Sequence, residues 1–219
     1  MEIDLKRDLQ TRGCPVCDHL ENAAFAHFSR FQFDWSQDER IRKRFAHEGG
    51  LCPFHTWQLA AFSSSRGLAK GLPPLLSRTA NQLLQMANLG DEAHFEQTVS
   101  GESRPNCRVC ALCRHEEEVY LTRLIRFLDQ EEGLSIYANS HGVCLLHLRL
   151  LVKSVPRETA RYLLRQAAQR LREAETHLRS YDQKLESGNR HDCTPNEKTA
   201  DRLALIHIAG AKYLSFPLK

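Results

Sequence analysis

The sequence predicts an all-α protein: tandem duplicated helical metal-binding modules, then a long coiled-coil-like helix and a short final helix. Three observations predict it. Apolar residues recur at spacings of three and four through most of the chain, no segment alternates convincingly as a strand, and one cysteine–histidine pattern occurs twice in the same order. Hydrophobic residues make up 42% and charged residues 26%, enough apolar material to build a core.

The duplicated pattern begins with Cys14-Pro-Val-Cys17, followed later by Gly-Leu-Cys52-Pro-Phe-His55. The second copy is Cys107-Arg-Val-Cys110, followed by Gly-Val-Cys144-Leu-Leu-His147. Cys107 and Cys110 lie 93 residues beyond Cys14 and Cys17, and Cys144 and His147 lie 92 beyond Cys52 and His55. Chance cysteines would not keep this register, so the chain reads as a first Cys3His module over 1–88 and a second over 107–187. A C-terminal helix and tail over 188–219 follow, and the two modules are expected to pack as one domain.

Each element has a local signature. Phe25, Phe28, Phe31 and Phe45 sit at mostly helical spacing among charges, and Gly49-Gly50 ends that stretch just before Cys52. Pro53 suits the first position of a helix, which makes Cys52 a helix start with His55 one turn in on the same face. Cys144 and His147 repeat this after Gly142. Gly90, Gly101, Ser103 and Pro105 mark a linker over 88–106. From Arg157 to Glu186 runs the longest helix, with Leu164, Ala167, Leu171, Ala174, Leu178, Tyr181 and Leu185 as a coiled-coil seam that either this chain or a second copy fills. Thr194-Pro195-Asn196-Glu197 reads as a capping box opening the final helix, which Gly210 closes.

The chemistry of the quartets is that of a metal. Two thiolates from Cys-x-x-C and a thiolate plus imidazole from Cys-x-x-His make three sulfurs and one nitrogen, the donor set of closed tetrahedral zinc sites. A helix N-terminus, with its unpaired N–H groups, favours Cys52 and Cys144 as thiolates. The predicted ligands are therefore Cys14, Cys17, Cys52, His55, Cys107, Cys110, Cys144 and His147, with zinc at two sites. Cys113 extends the second knuckle to Cys107-x-x-Cys110-x-x-Cys113, which keeps an iron–sulfur cluster as the alternative metal group and leaves Cys113 as a substitute for Cys107. His19, His47, His115 and His141 lie close enough in sequence to support or replace a ligand. Cys193 stands alone and reads as a plain thiol.

The remaining features bound the function. A net charge of +3 is too small to argue for nucleic acid, and Arg157, Arg161, Arg165, Arg172 and Arg179 read as a solvated helix face paired with neighbouring acids. No run approaches the roughly 18 apolar residues of a membrane helix, and residues 1–10 lack a signal-peptide core, so a cytoplasmic address is expected. The segment 209–217 is apolar enough to dock on the body or on a partner. No phosphate loop, nucleotide fingerprint or Ser/His/Asp arrangement is present. The reading leans away from an enzyme and toward a scaffold that binds a protein partner. Electron transfer or redox sensing by a cluster, and metal handling or thiol redox chemistry, are the alternatives.

The paired modules, the Glu117–Tyr120–Leu121 stretch after the second knuckle and the helix bearing Tyr181-Asp182-Gln183-Lys184 together resemble an uncharacterised bacterial family, one defined only as a domain of unknown function. That resemblance spans nearly the whole chain. It implies a duplicated, helical, metal-binding protein and carries no activity with it.

Overall fold

A computed structural model describes residues 3–89 and 107–211. Among these residues there are eleven α-helices and no strand, so the protein is all-α. In chain order they are α1 (Leu5–Asp8), α2 (Pro15–Gln37), α3 (Glu39–His47), α4 (Pro53–Phe62), α5 (Ser65–Gly71), α6 (Pro73–Leu89), α7 (Arg108–Leu128), α8 (Glu131–Ala138), α9 (Leu145–Ser154), α10 (Arg157–Glu186) and α11 (Pro195–Ala209). A short 3-10 turn, Arg190–Asp192, joins the last two. From Gly90 onward the expected linker lies outside the described residues, as does the apolar segment from Lys212.

The chain divides into two compact units, which among the described residues are 3–21 with 116–211, and 22–89 with 107–115. In the second of these, the phenylalanine-rich stretch supplies the core. Phe28 and Trp35 are fully buried and Phe45 nearly so. Phe28 stacks on Phe62 at 5.6 Å, and Trp35 meets Phe45 edge-on at 5.3 Å. Burying a side chain such as Phe28 contributes about 2–3 kcal/mol. The stretch is two helices rather than one, because the Asp38 carboxylate accepts a 2.8 Å bond from the Arg40 N–H and starts α3 afresh. Phe25 and Phe33 face outward, 55% and 67% exposed.

The other unit is organised by α10, which spans Arg157–Glu186 as the spacing predicts and packs against both α9 and α11. With two neighbours its buried face is wider than a single seam. Leu163 is therefore fully buried, while Leu164, expected on the seam, is 50% exposed. Ala167, Leu171, Ala174, Leu178 and Tyr181 are half-buried. The arginines Arg157, Arg161, Arg165, Arg172 and Arg179 are exposed, and Arg179 pairs with Glu175 at 2.8 Å. Helix α11 opens with the predicted capping box, Thr194 and Glu197 each bonding the other's backbone N–H. Glu197 is buried, and Lys184 and Ser180 satisfy its carboxylate at 2.8 and 2.6 Å.

Candidate metal centres

All eight predicted ligands sit at helix N-termini. Cys52 and Cys144 are N-caps of the ten-residue helices α4 and α9, with nearly the same backbone angles (φ −63°, ψ 162° and φ −68°, ψ 163°). Cys14 and Cys107 immediately precede the long helices α2 and α7. Their carbonyls accept the first helical bonds, from Asp18 and Ala111, at 3.1 and 3.0 Å. Each Cys-x-x-Cys is thus the first turn of a helix rather than a free knuckle. Gly50 and Gly142 lead into the Cys-x-x-His turns with φ of +78° and +70°, a conformation that disfavours any side chain. At Gly142 a Cβ would also lie 2.6 Å from the Arg170 guanidinium.

Two buried groups result, each of three cysteines and one histidine whose ligand atoms all lie within 4.8 Å of one another. Either group can hold a metal ion. Their composition corrects the expected pairing within each half of the chain. Cys14 and Cys17 meet Cys144 and His147 (site one), while Cys107 and Cys110 meet Cys52 and His55 (site two). Spacing of three residues defines a pair on one helical turn, but which two pairs face each other is decided by how the helices pack. Every ligand of site one falls in the first unit and every ligand of site two in the second.

At site one the Nδ1 of His147 lies 3.3, 3.5 and 3.1 Å from the Sγ atoms of Cys14, Cys17 and Cys144, and Cys17 lies 3.8 Å from Cys144. At site two the Nδ1 of His55 lies 3.1, 3.4 and 3.3 Å from Cys52, Cys107 and Cys110, and Cys52 lies 3.7 Å from Cys110. These sulfur separations are nearly twice a disulfide bond, and none of the eight cysteines is joined in a disulfide. A single ion in a tetrahedron, with metal–sulfur and metal–nitrogen bonds of zinc length, gives edges of about 3.8 Å between sulfurs and about 3.6 Å between sulfur and nitrogen.

Several groups hold the ligands in place. At site one, Glu117 on α7 accepts from His147 Nε2 at 3.0 Å, which fixes Nδ1 toward the thiols. Gly210, just past α11, lies over the same site, where a Cβ would be 3.5 Å from the Cys17 sulfur. Arg12 ties the segment before Cys14 to Thr199 and Asn196 of α11 at 3.2 and 3.3 Å. At site two, Arg108 bonds Glu48, joining the start of α7 to the turn before Cys52.

The thiols shape one another's acidity. Burial, reinforced by hydrogen bonds to Cys144 and Cys17, pushes the Cys14 thiol well up, while hydrogen bonds from Cys14 and then Cys17 stabilise Cys144 as the thiolate. At site two the hydrogen bond from Cys52 holds Cys107 down at about 3, while burial raises Cys110 to about 11. Burial acts against charge on His147, but its bonds to Cys144, Cys17 and Glu117 outweigh it and raise the imidazole to about 11. Each quartet on its own therefore favours one thiolate and opposes further ionisation. A divalent cation at the centre would let all three sulfurs ionise.

Of the other candidates, His19 is buried and bonds Glu116 at 2.8 Å, with its ring 5.0 Å from Tyr120. His47 is exposed and bonds Arg78, and His115 is exposed. His141 lines a cleft described below. Cys113 and Cys193 are buried but belong to neither quartet. Sequence reasoning gave Glu117 no role at a metal, since it is the middle of three consecutive glutamates. No helix among the described residues is long and apolar enough to cross a membrane. No family model, curated protein or solved structure matches the chain.

Proposed function

We propose that this protein is a helical scaffold stapled by two structural zinc ions, with Cys14, Cys17, Cys144 and His147 holding one and Cys52, His55, Cys107 and Cys110 the other. The observation that carries the reading is the closure of each quartet. Four protein donors at tetrahedral spacing, all buried, leave no coordination position for a substrate or an activated water. The spacing favours one ion over an iron–sulfur cluster, which interposes several irons and sulfides between its ligands and so spreads them farther apart. Closed, buried thiolates also suit retention of metal better than its exchange.

A protein partner is the complement of such a scaffold. Trp57 on α4 is 78% exposed, and Leu76 and Leu84 on α6 are 62% and 63% exposed, apolar surface left uncovered among the described residues. The test is elemental analysis and an absorption spectrum of untagged protein purified without oxygen. Two zinc ions per chain and no visible colour are expected. Iron with sulfide and a brown absorbance would replace this reading with the cluster alternative, and rapid loss of both ions to a chelator at neutral pH would replace it with metal handling.

A further inference from the structure

A polar cleft of about 270 Å³ opens between the 138–141 turn, α10 and α11, all within the first unit. Ala174 and Ala200 leave the space, and His141, His177, His207 and Arg170 face it. Among the described residues none of the three imidazoles has a hydrogen-bond partner, although His207 is only 8% exposed. The nitrogens of the three rings are therefore open to a polar occupant of the cleft, and the ring of His207 is itself more than nine-tenths buried there.

The charge of that occupant follows from its surroundings. Arg170 is fixed in place, with its Nε donating to the Ser140 carbonyl at 2.9 Å and one terminal nitrogen to Tyr137 at 2.6 Å. Its guanidinium also lies 4.9 Å over the Tyr137 ring. The second terminal nitrogen lies beside Gly142 and the Tyr137 hydroxyl, which Arg170 also engages. Glu173 is the one acid lining the cleft, and it is engaged by Gln169 at 2.9 Å. A metal cation is disfavoured, because among the described residues only the two cysteine–histidine quartets bring ligand atoms within reach of one ion.

We propose that this cleft binds a small oxyanion-bearing molecule, a carboxylate or a phosphate, held by Arg170 and by ring N–H groups of His141, His177 and His207. Burial, and then the charge of Arg170, lowers the basicity of His207, and burial with Arg12 and Arg170 does the same to His141. The negative charge of a bound anion would act in the opposite direction on both rings. The cleft adjoins site one through the turn that leads into Cys144, yet the proposal is independent of which metal sits there.

The test is an NMR titration of the histidine rings in metal-loaded, full-length protein, with inorganic phosphate and with succinate as separate probes. Saturable movement of the three rings is expected with at least one probe, and which probe acts distinguishes a phosphoryl from a carboxylate ligand. His177→Gln and His207→Gln should each weaken binding about fivefold, the loss of one hydrogen bond, and Arg179→Gln on the outer face of α10 should leave it unchanged. If His207→Gln does not fold, the wild-type titration and His177→Gln decide. Absence of saturable movement with both probes at tens of millimolar would overturn the proposal and assign the cleft to water.

Discussion

Replacing Cys144 with alanine should unfasten site one and expose how much of the fold depends on it. An ion held there would join Cys17 to Cys144 across 127 residues. Cross-linking a loop of that length removes unfolded-state entropy worth about 5 kcal/mol in the chain-entropy treatment developed for disulfides, and a metal clip acts on the same term. That is comparable with the whole stability of many domains. For a chain of this size, about 1 kcal/mol moves the melting temperature by about 2–4 °C, so Cys144→Ala should melt about 10–20 °C lower. The control is Cys193→Ala, which removes an equally buried thiol outside both quartets and should cost about 1 kcal/mol. Thermal unfolding followed by circular dichroism, beside metal content per chain, reads both quantities. A Cys144→Ala protein that melts with the Cys193→Ala control and keeps two ions would refute the ligand assignment.

Glu117→Gln keeps a partner on the ring of His147 but removes its charge, so site one should lose metal affinity about 10–100-fold while site two is unchanged. Chelator competition should then strip one ion early, and two ions leaving together as in the wild type would count against the role given to Glu117. Gly71→Ala drives a Cβ into the indole of the fully buried Trp35, an overpacking worth about 3 kcal/mol. A lowered melting point and a red-shifted Trp35 emission are expected, and an unchanged midpoint would contradict the packing. The Glu197 carboxyl is held down to about 2 by Lys184, then Ser180 and the Thr194 N–H. Because its folded-state pKa is depressed, its contribution is complete above the unfolded value near 4.5 and is lost as pH falls toward 2. The stability difference between wild type and Glu197→Gln should therefore shrink across that window, and a difference independent of pH would exclude it.

Much of this fold can be read in the residues. Thr194-Pro195 and Glu197 announce α11, the Arg157–Glu186 spacing announces α10, and the two Cys-x-x-His turns announce α4 and α9. The pairing of the quartets cannot be read the same way. Cys17 lies 35 residues from Cys52 and 127 from Cys144, yet the entropy difference between closing those two loops is only about 1 kcal/mol. Helix packing outweighs a preference that small, so nearness along the chain is a weak guide to which turns meet. The break at Asp38 lay hidden in a stretch whose phenylalanines keep helical spacing on both sides of it. Leu163 displaced Leu164 from the core because a helix touching both α9 and α11 buries a broader face than one seam. His207 and the cleft it faces are assembled from three distant segments, and no local pattern marks them.

The interleaved pairing is the central claim, and metal content in two double variants tests it most directly. Cys14 and Cys144 belong to one site here, whereas Cys14 and Cys52 belong to different sites. Under this arrangement Cys14→Ser with Cys144→Ser retains one ion per chain, and Cys14→Ser with Cys52→Ser retains none. The reverse result, no ion in the first and one in the second, would restore pairing within each half of the chain and contradict the account.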